Sequence, residues 1–100
     1  MNDIRDPQAS TTMAEIRSEV DDVDRQLIAL LARRFGYMDA AARIKPARGQ
    51  IRDEARKAQV IANARAGARA AGLPEEAVAE LWDRLVEASI AYELDAFDAR

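Results

Sequence analysis

Two cations stand where hydrophobic side chains belong. On a helical wheel Ile16, Val20, Val23, Leu27, Met38 and Ala41 gather in one narrow arc, and Arg34 and Lys45 fall inside it. Arg33 faces away and reads as an ordinary solvated residue. An unpaired buried charge is very costly, so inward cations need internal acids, stems long enough to reach water, or an anionic ligand. Arg34 and Lys45 lie eleven residues apart, roughly 16 Å along a helix axis, a span over which two long side chains can hold one small dianion. On these residues alone, pairing with buried Asp or Glu remains an open alternative.

Arg17 lies at the edge of the same stripe, about 100° round from Arg34 and roughly 25 Å from it along the axis. It cannot share a small ligand with Arg34 and Lys45 of its own straight helix. If it serves that site, the site belongs partly to another subunit; a surface pair with Asp21 is the simpler reading from geometry. Near the other end of the chain, Ser89 and Glu93 fall within an apolar arc formed by Val78, Trp82, Leu85 and Val86, and as i,i+4 neighbours they point the same way. Glu93 is the more unusual of the two, because burial and the nearby end of its helix both favour the protonated form. Its plain alternatives are a frayed helix end or an ion pair with a buried cation such as Lys45. Arg56 shares a face with Val60 and Ala64 and is expected to be a third inward cation.

These side chains need long helices to carry them. Thr12-Met13-Ala14-Glu15 has the form of a capping box, and apolar residues then recur at three- and four-residue steps until Pro46. The pattern predicts a first helix from Met13 to Lys45, roughly 50 Å long, too long to be covered by two shorter helices of the same chain. That predicts a dimer. Residues 46–50 read as a loop, a second helix is expected over Asp53 to Ala71 with Gly72 as its cap, and Leu73-Pro74-Glu75-Glu76 opens a third with proline in its first turn. The fold class is therefore all-α, a three-helix protomer with one long N-terminal helix. A flexible lead-in over 1–11 precedes a single domain over 12–100.

Composition narrows the chemistry. The 100 residues include no cysteine and no histidine, which removes thiol chemistry and the commonest general base and metal ligand. An enzyme built this way must run a reaction with little acid–base work. A net charge of −3 argues against nucleic acid as partner. No apolar run approaches the ~20 residues of a membrane span, and Met1 to Ser10 lacks an apolar signal core, so the expected location is cytoplasmic. Hydrophobic residues make up 49% of the chain but aromatic ones only 5%; with much of the remainder alanine, the core should be thin.

The set as a whole resembles the AroQ-type chorismate mutases. Ile16-Arg17, Asp21, Asp24, Leu27, Leu30-Leu31, Arg34 and Lys45 are similar to the first helix of the bacterial enzymes, Asp53 and Arg56 to the start of the second, and Ser89 with Glu93 to a serine and glutamine four apart in the third. The resemblance implies an intertwined homodimer with two sites, in which Arg17 reaches across to bind one substrate carboxylate and Arg34 binds the other. Lys45 would contact a carboxylate and the ether oxygen, Arg56 and the Asp53 region would close over the ligand, and Ser89 would help position it. The catalytic group implied is thus Lys45, Glu93 and Arg34.

Chorismate-to-prephenate rearrangement is pericyclic and needs no nucleophile, metal or cofactor. It needs the dicarboxylate held in its compact conformer and negative charge stabilised on the breaking ether oxygen. Two positions depart from the family pattern. Glu93 stands where glutamine is usual, and since a carboxylate would repel the ether oxygen, Glu93 is expected to work protonated; burial favours that form and a neighbouring Lys45 opposes it. Lys57 stands where many bacterial mutases place an acid that contacts the ring hydroxyl. Arg33-Arg34-Phe35-Gly36-Tyr37 and Ala41-Ala42-Arg43-Ile44-Lys45 also resemble the isochorismate–pyruvate lyases, which use the same scaffold and cations, whereas Ile51-Arg52-Asp53 is more like the mutases. A non-catalytic helical dimerisation module is the alternative from another class, and it requires Arg34 and Lys45 to be satisfied by internal acids.

Overall fold

The computed structural model describes residues 6–100; residues 1–5, the front of the expected lead-in, lie outside the described part. The described lead-in holds a 3-10 turn, Pro7–Ala9, started by Asp6, whose side chain accepts from the Gln8 amide. Three α-helices follow: α1 Met13–Ile44, α2 Glu54–Ala71 and α3 Glu75–Asp98. Among the described residues there is no strand, and no helix is long and apolar enough to cross a membrane. The all-α, three-helix expectation holds.

The ends of the helices follow local chemistry. At the start of α1, Thr12 Oγ1 accepts from the Glu15 amide at 3.2 Å, and Glu15 Oε1 accepts in return from the Thr12 amide at 3.1 Å. That reciprocal pair satisfies two donors that a helix start leaves orphaned. The far end comes at Ile44, one residue earlier than expected, because a residue before proline is driven out of the helical region. Asp53 accepts from the Arg56 amide at 3.0 Å and caps α2. Gly72 closes it in the left-handed conformation, φ 72°, where a side chain would be strained. Pro74 stands at the N-cap of α3 rather than inside its first turn. The expected loop over 46–50 contains a second 3-10 turn, Arg48–Gln50, with Gln50 Oε1 accepting from the Ala47 amide.

Two units divide the chain, one ending at Arg34 and one running from Phe35 to Arg100. In the first, the apolar row of α1 lies open: Met13, Ile16, Val20, Val23, Leu27 and Leu30 are all exposed. In the second, α2 packs against α3 around Ile51, Val86 and Ile90, with Val60, Leu94 and Phe97 against them. Ile51 is only 4% exposed. Its burial, of the order of 1.5–3 kcal/mol, pins the connection between α1 and α2 to α3. No large side chain among the described residues is completely buried, as the alanine-rich composition predicts.

Candidate functional site

Lys45 leaves the end of α1 and meets α3. Its Nζ lies 2.7 Å from Glu93 Oε2, with the lysine side chain 31% exposed and the glutamate side chain 6%. The frayed-end alternative for Glu93 is corrected: α3 continues through Asp98, so this carboxyl sits well inside the helix and is buried. The ion-pair alternative is what the structure contains. Glu93 Oε2 is thus a buried oxygen that has the Lys45 ammonium as its charge partner and no other donor. In a low-dielectric setting that is an unsettled group, one a ligand atom or a proton can complete.

Ser89 lies one turn earlier on the same face of α3 and is also buried. Its hydroxyl donates to the Leu85 carbonyl at 2.7 Å. Lys45 is also part of the rim of an open depression shared with Gly49, Gln50, Arg52, Asp53 and Glu54. The loop that forms this rim is held by Ile51 below and by Arg52 at the side. Arg52 makes a two-pronged contact with Glu87 on α3, at 2.7 and 3.1 Å, and a third bond to Glu54 at 3.0 Å.

Lys57 completes this ionic cluster, with Nζ 2.7 Å from Glu87 Oε2 and 3.0 Å from Asp83 Oδ1. Hydrogen bonds from Arg52 and Lys57 hold the Glu87 carboxyl down at about 2. Bonds to Glu87 and Asp83 raise the Lys57 ammonium above its ordinary value. Glu87 and Asp83 thus face two cations of the neighbouring segment. Arg56 is the clear correction among the expected site residues: it is exposed, and it bonds to Gln59 on its own helix at 2.8 Å rather than turning in with Val60 and Ala64. The inward face of α2 runs through Lys57, Val60, Ile61, Ala64 and Ala68, one position round from Arg56.

Lys45, Ser89, Glu93 and Asp53 thus all belong to the second unit, with Asp53 spending one oxygen on its cap. Arg34 and Arg17 belong to the first. Arg34 is half-buried and Arg33 exposed, as the wheel requires. Arg17 is an exposed surface residue of α1 and forms no ion pair with Asp21. The Arg52–Glu87 contact was not foreseen, although opposite charges on segments expected to pack together were a usable signal. A family model for chorismate mutase type II matches residues 16–94, from the first turn of α1 to the residue after Glu93. No curated protein matches the chain.

Proposed function

The chain belongs to the chorismate mutase type II family; we propose that it rearranges chorismate to prephenate as a homodimer, each site completed by the partner's Arg17. The observation that carries this is the buried Glu93, whose Oε2 lies 2.7 Å from the Lys45 ammonium and has no other donor. We take Glu93 to be the ionised partner of Lys45 in the empty site and to carry a proton once the dianionic substrate is bound, so that its hydroxyl and the Lys45 ammonium together supply two donors for the ether oxygen as its charge grows, a form of fixed electrostatic stabilisation. Arg34 and the Arg17 of the second copy take the two carboxylates, and Ser89 lines the floor. Asp53 and the loop beside it form the rim, with Arg56 turning toward the ligand only on closure.

The open apolar row on α1 supports the second copy, since Ile16, Val20, Val23 and Leu27 are exposed among the described residues. The composition supports a reaction without acid–base relays, as no histidine or cysteine is present. Purified protein supplied separately with chorismate and isochorismate, and assayed for prephenate and for salicylate with pyruvate, tests the reading. Saturable prephenate formation, lost in Arg34→Ala and Lys45→Ala, is the expected result. Salicylate formation alone would make the chain a lyase, and no turnover of either substrate would leave a dimerisation module.

A further inference from the structure

The Ala42 carbonyl is in an awkward position. In an α-helix it would accept from the amide four residues on, but that residue is Pro46, which has no N–H. Ala42 is also 2% exposed, so water is a poor substitute, and an unmet buried carbonyl is unfavourable. The missing donor comes from elsewhere in the chain. Arg100 Nη1 donates to Ala42 O at 3.0 Å and to Lys45 O at 2.9 Å. The guanidinium is held over the Phe97 ring, 3.7 Å from its centroid, and Phe97 itself packs on the Ile51–Val86–Ile90 core. One residue along, Asp98 grips Arg48 through two bonds, at 2.8 and 3.2 Å.

We propose that Arg100 is a positioning residue: by replacing the N–H that Pro46 lacks, it fixes where the chain leaves α1 and so sets the Lys45 ammonium against Glu93. Arg100 touches no reacting atom. Its two acceptors bracket the last turn of α1, and the second is the carbonyl of Lys45 itself. The favourable charge at the negative end of the helix adds to the hold. Removing the guanidinium frees the last turn to unwind, and the Lys45 side chain then samples a wider volume above Glu93. This rests on the proposed mutase chemistry for its kinetic consequence, though not for the structural one.

Three variants of the full chain test it: Arg100→Ala, Arg100→Lys and, as a control for stability alone, Arg69→Ala, which loses the α2 contact with Glu75 at 2.9 and 3.0 Å. Arg100→Ala should lower kcat for chorismate by roughly 10- to 100-fold, the scale expected when a catalytic group is misplaced by about 1 Å, with KM changed far less. Arg100→Lys, which keeps a cationic donor, should recover most of that loss, and Arg69→Ala should leave kcat as it was. In parallel, the Lys45 side-chain Cε resonance should move in Arg100→Ala and stay in place in Arg69→Ala, a readout that holds whether or not chorismate is the substrate. A Lys45 resonance unmoved in Arg100→Ala would overturn the proposal, as would a loss of kcat matched by Arg69→Ala at equal loss of Tm. A moved resonance in a protein inactive on chorismate would sustain the positioning role and overturn the mutase reading.

Discussion

Replacing Lys45 by methionine keeps the length and apolar stem of the side chain and removes only the charge that faces Glu93. The carboxylate left behind is 4% exposed, and its Oε2 has no donor other than the ammonium removed. Breaking one partner out of a fully buried pair costs about 3–5 kcal/mol. Lys45 is 31% exposed, so water can repair part of the loss, and about 2–3 kcal/mol is the appropriate scale. At about 4–8 °C per kcal/mol for a chain of this size, Tm should fall by about 10–20 °C. Glu93→Gln added to Lys45→Met removes the stranded charge, and the double variant should regain about 1–2 kcal/mol over Lys45→Met alone. Urea denaturation of the four proteins at one fixed protein concentration and neutral pH gives the cycle. If Lys45→Met costs under about 0.5 kcal/mol, the value of a surface pair, or if the double variant is no more stable than Lys45→Met, then the pair is not a buried one and the reasoning fails.

Glu93→Gln alone keeps a hydrogen-bond donor at this position, so it should turn over chorismate at least as fast as the natural protein while Glu93→Ala loses most of the activity; a glutamine variant as slow as the alanine one would remove the donor role of Glu93. Arg52 and Lys57 hold Glu87 at about 2 in the folded chain, below its ordinary value, so its stabilising contribution is present above the unfolded carboxylate range and drains away as pH falls toward 2. The gap in Tm between the natural protein and Glu87→Gln should accordingly be widest near neutrality and close on acidification, and a gap that widens in acid would contradict the assignment. Mixing Arg17→Ala with Lys45→Ala, each inactive, then allowing subunits to exchange, should restore about a quarter of natural activity, because half the dimers are mixed and each holds one intact site. No recovery would place Arg17 outside the partner's site.

The parts of the fold set by local chemistry were readable from residues in sequence. Thr12 with Glu15, Gly72 and Pro46 each act over a few positions, and each puts a helix end within a residue of its expected place. The half-buried Arg34 and the buried Glu93 were readable because large apolar neighbours made their stripes distinct. α2 defeated the same method. Its sequence is dominated by alanine, so the wheel has little contrast, and it points Arg56 inward where the structure turns Lys57 in. What chooses between the two is the acidic pair Asp83 and Glu87 across on α3, a tertiary preference invisible to any one helix. Arg100 shows the same limit: the need for a donor follows from Pro46, but nothing in the spacing says that a side chain 58 residues away supplies it to Ala42.

The uncovered apolar row on α1 has a consequence for handling and for regulation by abundance. The second copy proposed above, by covering this row, would add stability by mass action, and the melting point would then climb with protein concentration. Dilution would then act on it much as a mild denaturant does, and the amount synthesised by the cell would set how much of it is folded and how much is open to proteolysis.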